Sequence, residues 1–115
     1  MINAWSKVLD ALPTSKLVLK YRGITSTTNR ERILSEFTNN RIDPERIELE
    51  DYSPSLEDLY RRYNDIDIAF DCFPFSGGAT TYDALWMGVP VITLPGQRPS
   101  SRLSLSRIEN VGLQE

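Results

Sequence analysis

Apolar positions recur along this chain in two alternating rhythms. Ile2, Trp5, Val8, Leu9 and Leu12 fall three and four residues apart, the spacing of one helix face, and Pro13 ends the run. Leu17-Val18-Leu19 is a short buried-strand pattern. Ile33, Leu34 and Phe37 then mark the inner face of a second helix, expected over 28–39, with Asn39-Asn40 as its exit. Asp43-Pro44 turns the chain into a second strand at 46–49, whose alternating charges suit a position near a sheet edge.

The second half repeats the rhythm. Ser55 and Asp58 form a capping-box pattern before a stripe of Leu56, Leu59, Tyr60 and Tyr63. A third strand is expected over 65–70. A fourth helix over 79–87 follows, closed by Gly88 and Pro90. A fourth strand spans 91–94, and Ser100 or Ser101 is expected to cap a fifth helix over 102–110, ended by Gly112. Leu85 and Trp86 are expected in the core. Helix and strand alternate with no hairpin signal. The predicted fold class is therefore α/β: a Rossmann-like open parallel sheet of about four strands with helices on both faces, in a single domain over residues 1–115. In such sheets ligands lie beyond the carboxyl ends of the strands.

Composition narrows the chemistry. A 115-residue chain with 40% hydrophobic and 25% charged residues suits one globular domain. Net charge of −3 argues against sequence-independent nucleic-acid binding. No apolar run is long enough for a membrane span, so a cytoplasmic location is the expectation. Histidine is absent, which removes the commonest general base and metal ligand. Cys72, the one cysteine, fits a small packing residue better than a nucleophile. The abrupt start, and an apparent helix exit at residues 112–115, suggest a domain excised from a longer protein.

The chemistry concentrates in Ser76-Gly77-Gly78-Ala79-Thr80-Thr81. Paired glycines permit close backbone approach. Hydroxyls and free N–H groups at a helix start suit an anion. The turn is neither a Walker loop nor the dinucleotide fingerprint, because Gly-Lys-Ser/Thr and the third glycine are both missing. A tight turn with Ser and Thr caps explains the residues equally well. Asp83 suits either the helix dipole or ribose hydroxyls. Asp71 is positioned to orient the glycine turn, or is a polar strand end like Asp65. Arg61 and Arg62 lie opposite the third helix's apolar stripe. Among Arg98, Arg102 and Arg107, Arg102 sits unfavourably at a helix start and so calls for a carboxylate or phosphate partner.

Together, Asp67-Ile68-Ala69-Phe70-Asp71, Pro74-Phe75-Ser76-Gly77-Gly78-Ala79-Thr80-Thr81, Asp83-Ala84-Leu85-Trp86-Met87-Gly88-Val89-Pro90 and Ser101-Arg102 resemble the C-terminal lobe of the O-linked N-acetylglucosamine transferase family, which includes the plant SPINDLY proteins. The resemblance covers nearly the whole chain. It implies an inverting, metal-independent glycosyltransferase with two Rossmann-like lobes (GT-B architecture). UDP-N-acetylglucosamine is the implied donor and protein Ser/Thr the acceptor, with an N-terminal lobe and tetratricopeptide repeats elsewhere in the parent chain. By this match Gly77, Gly78, Thr80 and Thr81 hold the diphosphate, Asp83 meets the ribose and Arg62 lies beside the uracil. Ala79 stands where the bacterial pattern has a first threonine. Leu56 and Leu59 stand where animal enzymes carry a lysine and a histidine. No catalytic residue is expected in this chain, which alone should be inactive. The alternatives are a different sugar nucleotide or a non-catalytic interaction module.

Overall fold

The computed structural model describes residues 1–113; Gln114 and Glu115, part of the expected helix exit, lie outside the described residues. The chain divides into two compact units, one ending at Ser53 and one beginning at Pro54.

The first unit runs α1 (Ile2–Ala11), β1 (Leu17–Lys20), α2 (Thr27–Asn39) and β2 (Ile47–Glu50). β1 and β2 pair in parallel, Leu17 opposite Ile47 and Lys20 opposite Glu50. Leu9, Leu17, Ile24, Ile33, Phe37, Ile42 and Ile47 form its buried core. α2 ends not by glycine but by Arg41, whose φ is 64°. The amides of Ile42 and Arg41 return to the carbonyls of Phe37 and Thr38, and burial of both Ile42 and Phe37 holds that left-handed turn closed. Arg46 belongs to a 3₁₀ turn, Pro44–Arg46, rather than to the strand. Its guanidinium donates to the carbonyls of Leu9, Leu12 and Ser15 at 2.8–2.9 Å, so a cation satisfies acceptors left over at the end of α1.

The second unit runs α3 (Leu56–Tyr63), β3 (Ala69–Phe70), α4 (Ala79–Trp86), β4 (Val91–Ile92) and α5 (Leu103–Asn110). β3 and β4 pair in parallel. The described residues therefore hold two separate two-stranded sheets, not one sheet of about four strands. The third strand is shortened because the amides of Asp65 and Ile66 turn back to Arg62 and Tyr63 as α3 ends. The fourth stops at Ile92, opposite Phe70, where its partner β3 ends. Ser55 caps α3 as expected, accepting from the Asp58 amide at 3.1 Å. Gly88, at φ 78°, closes α4. There the Val89 amide returns to Ala84 and the Gly88 amide to Leu85.

Two packing expectations are corrected. Trp86 is 85% exposed and Leu85 only half-buried. Thr81 and Ala84 set the inward face of α4, and Trp86 lies about 200° round the helix from Ala84. Cys72 is exposed, not packed. Among the described residues no helix is long and apolar enough to cross a membrane.

The core of the first unit gives a paired prediction. Phe37 is fully buried, so Phe37→Ala should cost about 3–5 kcal/mol in urea unfolding. The buried Ser6 hydroxyl has no hydrogen-bond partner, so Ser6→Ala should be neutral or stabilising in the same assay.

Candidate functional site

β3 delivers Asp71 to the start of the loop that leads into α4. This carboxylate accepts from the Gly77 amide at 2.5 Å, the Ser76 hydroxyl at 2.8 Å and the Thr93 hydroxyl at 2.7 Å. Desolvation pushes its pKa up, but the hydrogen bonds from Thr93, Gly77 and Ser76 override that and hold it below the ordinary 3.8. Ser76 passes the connection on: its oxygen accepts from the Ser104 amide at 2.8 Å. That amide is in the first turn of α5, so a loop serine caps the helix in place of the expected Ser100 or Ser101.

Gly77 is half-buried and closely packed against its own chain. Its carbonyl accepts from Ser104 Oγ and Arg107 Nη1, each at 3.3 Å. A Cβ on it would sit 2.6 Å from Thr81 Oγ1 and 3.2 Å from Asp71 Oδ1. Glycine is needed here for close approach of the chain to itself. Gly78 is the N-cap of α4 and carries no side-chain cap. Among the described residues the N–H groups of Gly78, Ala79 and Thr80 have no hydrogen-bond partner.

The two threonines differ. Thr80 is exposed. Thr81 is buried, with Oγ1 2.7 Å from Ser104 Oγ. Ser104 Oγ also lies 3.3 Å from the Gly77 carbonyl, so the Thr81 hydroxyl is engaged inside the fold. Asp83 is half-buried and accepts from the Tyr60 hydroxyl at 3.2 Å through Oδ1. Its Oδ2 has no hydrogen-bond partner among the described residues. The negative charge of Asp83, and then its hydrogen bond, raise the Tyr60 pKa. Desolvation, then the charge of Asp83, raise that of Tyr63. Both phenols therefore stay protonated donors. Tyr63 donates to the Thr80 carbonyl at 3.4 Å. Both tyrosines were expected only as members of an apolar stripe; a phenol at a stripe's edge was the signal that they could also reach polar groups.

Arg62 pairs with Asp65 at 3.2 Å, and Arg61 with Glu57 on the exposed face of α3. Among the described residues Arg102 pairs with no carboxylate; its guanidinium donates to the Gly96 carbonyl at 3.2 Å. Arg107 lies over the Tyr82 ring, 4.6 Å from its centroid. Tyr63, Asp71, Phe75, Gly77, Thr80 and Thr81 line an open groove of about 230 Å³ beside the glycine turn. The arrangement offers an anion unpaired N–H donors and one free hydroxyl. It offers a ribose diol the spare oxygen of Asp83. Among the described residues there is no group of three or more His, Cys, Asp or Glu side chains placed to hold a metal.

Comparison with known proteins bears on what these groups could serve. The family described as Glycosyl transferase family 41 matches residues 1–115. A Solanum lycopersicum protein named probable UDP-N-acetylglucosamine–peptide N-acetylglucosaminyltransferase SPINDLY is 31% identical over 99% of this chain, and a Caenorhabditis elegans UDP-N-acetylglucosamine–peptide N-acetylglucosaminyltransferase is 29% identical over 99%. The chain spans only 12% and 10% of those proteins. A solved structure of a Thermobaculum terrenum O-GlcNAc transferase mutant matches with a TM-score of 0.92 and 38% identity, over 98% of this chain and 22% of that one.

The Asp71 cluster makes stability pH-dependent. Because its folded pKa lies below the ordinary 3.8, the unfolded chain takes up the proton first. The contribution is complete above 3.8 and is lost as pH falls through the folded value. Urea unfolding across the acid range should show stability rising with pH in the parent chain and a flatter profile in Asp71→Asn. Equal profiles would remove Asp71 from this role.

Proposed function

This chain belongs to glycosyl transferase family 41, and from that premise we propose that it forms the donor-nucleotide-binding part of an inverting glycosyltransferase. The enzyme transfers N-acetylglucosamine from UDP-N-acetylglucosamine to protein Ser or Thr hydroxyls, as the names of its relatives suggest. The observation that carries the reading is the row of unpartnered N–H groups at Gly78, Ala79 and Thr80, with the exposed Thr80 hydroxyl beside them. As the sugar leaves, charge grows on the diphosphate. Fixed N–H dipoles at a helix start stabilise that charge without having to reorganise.

Within this reading Gly78 and Thr80 bind the diphosphate directly. Gly77 and Thr81 support the turn from inside, since their polar groups are already engaged. Asp83 Oδ2 takes a ribose hydroxyl while Tyr60 holds Oδ1. Arg62, steadied by Asp65, borders the base. No metal is required, because backbone and hydroxyl donors supply the charge stabilisation. The acceptor site, the other Rossmann-like lobe and the tetratricopeptide repeats belong to a longer cytoplasmic protein. This chain alone binds UDP weakly and transfers no sugar.

Titration with UDP, followed by amide shifts, tests the proposal. Shifts at residues 78–83 are expected at millimolar ligand. Asp83→Ala should weaken UDP about tenfold or more while leaving pyrophosphate unchanged, about the value of a hydrogen bond to a charged group. The absence of any shift at millimolar UDP would favour a non-catalytic interaction module.

A further inference from the structure

We infer that Arg107 is a positioning residue that aims the Gly78 N–H at the diphosphate and strengthens it as a donor. The inference rests on the nucleotide-binding reading above. It starts from the Gly77–Gly78 peptide, which is trans, since the Phe73–Pro74 bond is the cis one. In a trans peptide the carbonyl and the following N–H point in opposite directions. The Gly77 carbonyl is held by Arg107 Nη1 and Ser104 Oγ, both on α5. The Gly78 N–H therefore points away from α5. A cationic donor on a carbonyl also polarises its peptide, and hydrogen bonds in series reinforce one another.

The setting of Arg107 goes beyond what packing on α5 requires. A basic residue in the last turn suits the α5 dipole, and that alone would let the side chain extend into water. Instead it lies across the Tyr82 ring of α4, and its Nε is buried with no hydrogen-bond partner. No carboxylate pairs with it among the described residues. A half-buried guanidinium is thus held against a glycine carbonyl at the start of α4, where a cation is electrostatically unfavoured. The tyrosine face and the carbonyl fix it there. An anion bound at Gly78 would relieve the accumulated positive potential without touching Arg107.

The test compares the parent chain with Arg107→Met and Arg107→Lys, using ¹H–¹⁵N spectra and calorimetry with UDP and uridine as probes. In the ligand-free chain, Arg107→Met should move the Gly78 amide proton upfield, and Arg107→Lys should restore part of the shift through one donor. UDP affinity should fall about tenfold in Arg107→Met, the scale of one charge-assisted hydrogen bond, while uridine is unaffected. A purely structural role would alter thermal stability and weaken both ligands together. An unmoved Gly78 amide, or equal loss for UDP and uridine, overturns the inference. If the parent chain binds no UDP, the nucleotide reading fails, and the Gly78 amide shift still decides whether Arg107 orients that peptide.

Discussion

The second unit depends on one buried-facing carboxylate. Asp71 ties the end of β3 to Thr93 beyond β4, to the Ser76 hydroxyl and to the Gly77 amide. Ser76 then extends the tie to the first turn of α5. Each hydrogen bond to a charged acceptor is worth roughly 1.5–3 kcal/mol, and such bonds in one cluster do not add simply. Their geometric effect is clearer than their energy. Two strand ends, a glycine turn and two helix starts are fixed relative to one oxygen pair. Two-residue strands such as β3 and β4 have too few ladder bonds to do this alone.

The two units solve stability differently. The first buries Leu, Ile and Phe around a parallel strand pair and needs little polar design beyond the Arg46 clamp. The second buries only Ala84, Val89 and Ile108 among its apolar residues, alongside Ser76, Thr81, Ser101 and Ser104. Such an interior is directional rather than merely cohesive. Hydroxyls must be donor and acceptor in the right order, so the turn has one arrangement or none. Under the proposed reading, that fixed arrangement aims the backbone donors before ligand arrives.

Helix spacing, Gly88 and the Ser55 cap were legible because each is local: the period, a left-handed φ or a three-residue hydrogen bond is written in adjacent positions. Strand lengths were not. Asp65 and Ile66 begin a stretch of strand-like composition, but their amides are claimed by the turn that ends α3, a competition that propensity cannot register. Trp86 was misplaced because its size argues for burial while its angle on α4 argues against, and angle prevailed. Sequence leaves Asp71 as either a turn-orienting acid or a polar strand end, because one of its partners, Thr93, is 22 positions away. Arg107 and Ser104 were illegible for the same reason: their partner is the main chain of Gly77, and a backbone carbonyl has no signature in sequence.

The consecutive glycines, equivalent in sequence, do opposite work in the structure. Gly77 spends its N–H on Asp71 and its carbonyl on α5, and it excludes a side chain because Thr81 and Asp71 occupy the space. Gly78 has nothing within 4 Å of where a Cβ would stand, so its surroundings leave room for something outside the chain. The threonines divide the same way, Thr81 inward and Thr80 outward. The inner residues Gly77 and Thr81 bracket the outer run 78–80, so the turn grips its own fold at both ends and, in the reading proposed above, presents donors to an anion between them. Ala79 then becomes intelligible. It lies on the outer side with its amide still available, so under the proposed reading the hydroxyl missing there removes one ligand contact without loosening the frame formed by Gly77 and Thr81.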